Sequence, residues 1–204
     1  VGVAPKGGAG YRRHEVNGGM KLERFPAEKL QPLKGSIRGH IFQNEAIAIP
    51  LTLFHEITVP LAPFELAGKT VKTDLRLGFI RFGVSKLREL SGRMFAFPAN
   101  PVEGYVDGSI YLCDVHSPVD LPRIIFGNVA TAVPAEMDLR VLFELEQTGF
   151  ENADVHLTVE LAYEGVVLRA SSVDDALRLA ERLIDPADYR PPVKEGRVYR
   201  FQPG

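Results

Sequence analysis

The chain has 204 residues, 45% of them apolar and 25% charged, which is enough for one β-rich domain with a sizeable buried core. Its 24 basic and 26 acidic residues leave a formal net charge of -2, so there is no overall attraction to nucleic acid or to an anionic membrane. Cys113 is the only cysteine, which excludes an intramolecular disulfide and a zinc site built from several cysteines of one chain.

Residues 1–19 hold six glycines and little apolar material, and are expected to be a disordered N-terminal extension. Their Lys6-Gly7-Gly8-Ala9-Gly10 stretch lacks the spacing, the Lys-Ser/Thr pair and the preceding strand of a phosphate loop. They lack the apolar core of a secretory signal, and Met20 directly precedes the first globular-looking sequence. No apolar run is long enough to span a bilayer. The expected setting is cytoplasmic, consistent with the single cysteine.

Residues 20–185 are expected to form a single β-rich domain. Leu51 to Val59, between Pro50 and Pro60, places Leu51, Leu53, His55, Ile57 and Val59 on one face. From Val71 to Phe82, Val71, Leu75, Leu77 and Phe79 share a face, and the apolar parity then switches to Ile80 and Phe82. A bulge at Gly78 accounts for the switch. Residues 85–90 suit a short helical turn, and Arg93 to Phe97 an extended segment. Pro98 to Gly108 is the longest turn-like stretch, ending in an Asp107-Gly108 tight turn. Strands are expected at 109–116 and 119–132.

The alternation of Met137, Leu139, Val141, Phe143 and Leu145, and of Val155, Leu157, Val159, Leu161 and Tyr163, predicts a half-buried antiparallel hairpin. With Glu144 opposite His156, Arg140 falls opposite Glu160. A helix is predicted over 173–185, capped by Ser172 with Asp175 three residues on, and ended by Asp185-Pro186. Its apolar stripe runs through Val173, Ala176, Leu177, Ala180, Leu183 and Ile184. Residues 186–204 read as an extended proline-containing tail, tethered by Val198, Tyr199 and Phe201. The expected fold class is mainly β: an antiparallel β-sandwich or flattened barrel with one C-terminal amphipathic helix.

Five histidines are present, His14, His40, His55, His116 and His156, with none of the local spacings of zinc hydrolases. His55 breaks an otherwise apolar face. It is either a core histidine with a hydrogen-bond partner or a pocket residue acting as acid, base or ligand. Asp114 and His116 share a face on an extended strand, so they form either a polar strand end or a metal or proton-transfer pair. Cys113 would face the other way, as a small buried hydrophobe. The carboxylates of the last hairpin alternate as on any solvated sheet face, although glycosidases also pair acids across β clefts. In the Pro98–Gly108 region, Phe97 and Tyr105 offer aromatic contact area, with Asn100 and Asp107 as polar partner-binding candidates. Arg76, Arg81, Arg88 and Arg93 are interspersed with acids, and no nucleic-acid signature accompanies them.

These features point first to a non-enzymatic protein-binding or accessory module, with no cofactor. The alternative is a small metal-dependent enzyme holding a divalent ion at His55, Asp114 and His116. A third reading is a structural subunit assembling through sheet edges.

Overall fold

The computed structural model describes residues 22–112 and 114–204, so the expectations for residues 1–19 and for Cys113 lie outside the described residues. The strands are β1 (Gly35–Asn44), β2 (Ile49–Pro60), β3 (Phe64–Leu66), β4 (Lys69–Val71), β5 (Asp74–Ile80), β6 (Met94–Ala96), β7 (Asp107–Leu112), β8 (Val115–Phe126), β9 (Val133–Val141), β10 (Ala153–Leu168), β11 (Val193–Glu195) and β12 (Val198–Phe201). One α-helix, α1 (Val173–Ala180), follows β10. Ten strands form one sheet in the order β1-β2-β5-β7-β8-β9-β10-β12-β11, with β6 on β8; β3 and β4 form a separate hairpin. The fold is therefore mainly β, in a largely antiparallel sheet with one helix.

The pairing path also returns on itself. β10 pairs with β9 over Ala153–Leu161, and β1 lies parallel to it from Gly35↔Leu161 to Ile41↔Leu168. Gly165 sits in this shared stretch with φ 82°, and a Cβ there would lie 2.0 Å from the Phe201 carbonyl oxygen. Only glycine supplies both that left-handed conformation and that close approach.

Alternation along each strand sorts the core into two clusters. Ile37, Ile57, Leu77, Ile110, Ile124, Met137 and Leu161 belong to the larger one. Ile41, Val166, Leu168, Tyr199 and Phe201 join Ala176, Ala180 and Ile184 in the smaller one, beneath α1. Each fully buried large side chain contributes about 1.5–3 kcal/mol relative to exposure.

Several expectations shift in detail. The break expected near residues 117–118 falls between Leu112 and Val115, which pair directly, with Asp114 at φ 68°. A two-residue hairpin connection needs left-handed residues, and aspartate tolerates that conformation. Pro118 thus lies inside β8, its carbonyl accepting from the Leu142 N–H at 2.9 Å. β9 ends at Val141, and a 3-10 turn over Phe143–Glu146 removes Glu144 from the ladder. His156 consequently faces Asp138, Arg140 faces Asp154 and Glu160 faces Pro134. Regular helix ends at Ala180 rather than 185, although the Ile184 N–H still reaches the Ala180 carbonyl at 2.9 Å. Ser172 caps α1 as expected, its hydroxyl accepting from the Asp175 N–H at 3.1 Å. Within residues 186–204, β11 and β12 form a hairpin whose second strand joins β10, so the segment completes the sheet instead of trailing from it.

The bulge does form at Gly78. Ile57 pairs with Leu77 and His55 with Ile80, leaving Gly78 and Phe79 opposite Glu56 alone. It turns Phe79 out of the face it was expected to share with Leu75 and Leu77: Phe79 is 41% exposed, while Leu75, Leu77, Ile80 and Phe82 are buried.

Candidate functional site

His55, Asp114 and His116 do not come together. Successive registers place His116 level with Tyr111, and Tyr111 level with Asp74 and Pro60. His55 lies five residues back along β2, about 16 Å at ~3.3 Å per residue, and three strand spacings of about 4.8 Å separate β2 from β8. His116 is exposed, its ring 5.2 Å from that of Tyr111, and Asp114 occupies the turn. Among the described residues, no group of three or more His, Cys, Asp or Glu side chains is placed to hold a metal ion.

His55 points inward on β2, between Leu51 and Leu53 of the helix-side cluster and Ile57 and Val59 of the main cluster. It is 4% exposed, its ring lies 5.1 Å from that of Phe82, and its Nδ1 has no partner in the structure. Burial pushes its pKa down from 6.5 to about 4, so the imidazole is neutral near pH 7. Its position as a core residue follows from its parity, but the hydrogen-bond partner expected of a buried histidine is missing.

The four loop candidates divide. Phe97 turns in against the main cluster, 6.2 Å from the ring of Phe82. The Asn100 N–H donates to Oδ1 of buried Asp120 at 3.0 Å, which fastens the loop to β8. Asp107 opens β7 opposite Gly78 and stays exposed. Tyr105 comes to the bulge, where it lines a cleft of about 490 Å³ with Phe54, Phe79 and Arg81.

That bulge organises an aromatic strip. The Phe79 ring lies 5.7 Å from Phe42 and 5.4 Å from Phe54, both near edge-on. The Arg81 guanidinium lies over Phe54 at 5.0 Å, with no carboxylate partner among the described residues. Phe79 holds φ 54°. The other non-glycine residues with positive φ, Ala48, Ala67, Asp114 and Gln147, lie in turns or helix caps, whereas Phe79 lies within a strand. A bulky residue in this conformation costs on the order of 1–3 kcal/mol.

Beside the strip, Glu56 is held by Arg38 Nε at 2.7 Å and by His40 Nδ1 at 3.2 Å. The His40 hydrogen bond, followed by the Arg38 contacts, outweighs burial and holds the Glu56 carboxyl down at about 2. Arg38 sits directly opposite Glu56, and His40 opposite Phe54, so His40 reaches the carboxylate diagonally. Sequence reasoning passed over His40 and Glu56. Their common parity with Arg38 was visible, but their proximity depends on strand register. His40 also borders a cleft of about 610 Å³ between the end of β1 and α1.

No protein-family model, curated protein or solved structure matches this chain. Among the described residues, no helix is long and apolar enough to cross a membrane.

Proposed function

We propose that the protein is a non-enzymatic binding module, acting in the cytoplasm, whose contact surface is formed by Phe42, Phe79 and Tyr105 over the buried ring of Phe54. The carrying observation is Phe79, a large apolar side chain kept exposed at a backbone conformation that disfavours it. Strain of this kind persists where surrounding structure enforces it and clusters at functional sites. The partner segment is extended, with an apolar side chain for the aromatic cleft and a carboxylate for Arg81, which makes no direct ion pair among the described residues although Glu103 lines the same cleft. The parallel pairing of β1 with β10 supports the flattened-barrel form of the fold over the sandwich as the scaffold for this surface.

The test is affinity capture from native lysate with wild-type protein and with Phe79→Gly. Glycine relieves the positive φ, so the variant is expected to keep its fold by circular dichroism while losing a stoichiometric partner. Capture of no stoichiometric partner by the wild type, or equal capture by the folded variant, removes the proposal.

A further inference from the structure

The cleft between β1 and α1 has a polar end and an apolar wall. Leu51, Leu168 and Leu179 are among the side chains of the wall. Arg169 and Arg178 stand at the polar end, with Asp175 beside them. Asp175 already accepts from Arg178 at 2.5 Å and from the Ser171 backbone and hydroxyl at 3.1 and 3.0 Å, so its oxygens are engaged. Arg169 is exposed just beyond β10 and has no carboxylate partner among the described residues. Two guanidiniums and one carboxylate leave a single positive charge. The volume of about 610 Å³ falls within the range of small-molecule sites, roughly 300–1,000 Å³.

We infer that this cleft binds a small organic monoanion: a carboxylate carried on an apolar body. The carboxylate takes the paired N–H donors of Arg169, the planar match that guanidinium offers, with Arg178 adding charge from the helix side. The apolar body lies against Leu51, Leu168 and Leu179. His40, its Nδ1 fixed on Glu56, closes the rim on the β1 side. The single net charge favours a monoanion over a phosphate dianion. Phe42 borders both this cleft and the aromatic strip, but Phe79, Tyr105 and Arg81 do not line it, so loss of binding in Arg169→Gln tests this site without touching the protein-binding reading.

The probe is 4-phenylbutyrate, titrated into the whole protein at low salt and followed by amide resonance shifts. Saturable shifts are expected at Arg169, Leu179 and Val198. The neutral isostere 4-phenylbutanol is expected to bind about tenfold more weakly, and Arg169→Gln to lose about tenfold in affinity for the acid with an unchanged circular dichroism spectrum. Equal binding of acid and alcohol to the wild type overturns the proposal, as does undiminished binding by the variant. Shifts confined to other surfaces, or inorganic phosphate competing at equal concentration, do so as well.

Discussion

At the scale of single residues, His55 carries the clearest cost. Its folded-state pKa, about 4, lies below the ordinary 6.5, so between those values the unfolded chain binds a proton that the folded chain refuses. Stability is therefore whole above pH 6.5, declines as pH falls towards 4 and levels off below that. The gap is worth about 3 kcal/mol for a group this deeply buried. Glu56 works in a lower window. Its depressed pKa, about 2 against 4.5, adds stability above pH 4.5 that is lost as pH falls towards 2. Urea unfolding of wild type and His55→Leu from pH 7 to pH 4 separates the two, because the substitution is expected to remove most of the decline above pH 4.5. Parallel decline in both proteins would show that His55 is not its source. The inward placement of His55 was readable from its company of Leu51, Leu53, Ile57 and Val59. Its missing partner was not, because that depends on which side chains the other strands bring to Nδ1. The same distinction explains Phe79. The parity switch revealed the bulge, but not which of its two residues would be expelled.

At the scale of elements, alternation determines which face a residue takes but not what stands opposite it, since register is set by turn length. β9 and β10 show this. Their apolar faces match the sequence pattern up to Val141 and from Val155, but the 3-10 turn after β9 leaves Leu145 exposed instead of on that face and moves His156 from Glu144 to Asp138, where its Nδ1 lies 2.8 Å from Oδ1. The His40–Glu56–Arg38 cluster was hidden for the same reason. α1 was legible because its cap and stripe are local. β10 holds the most demanding joint. Gly165→Ala would thrust a methyl group into the Phe201 carbonyl and strain φ, so a loss of about 3 kcal/mol or more is expected in chemical denaturation. A change below about 1 kcal/mol would mean that β12 packs less tightly on β10 than the structure shows.

For the whole molecule, the unpaired edges bear on the reading as a self-assembling subunit. β6 and β11 are three residues each, and β11 is Val193-Lys194-Glu195, exposed throughout. β6, Met94-Phe95-Ala96, is protected by its shortness alone and β11 by shortness and charge, and both features resist strand addition. Sedimentation equilibrium is expected to show no open-ended increase of mass with concentration; continuous growth would restore the assembly reading.

The parallel joint between β1 and β10 also governs the order in which the protein can be made. Gly35 and Leu161 are 126 positions apart in the chain. At about 5–20 residues per second, a ribosome takes on the order of ten seconds to supply the second partner after the first. Through that interval β1 and β2 can form a hairpin, but the apolar side chains Ile37 and Ile41 and one edge of β1 wait for a strand not yet synthesised. The nascent chain thus passes through a stage, midway through translation rather than at release, in which apolar side chains and an open edge of β1 stay uncovered.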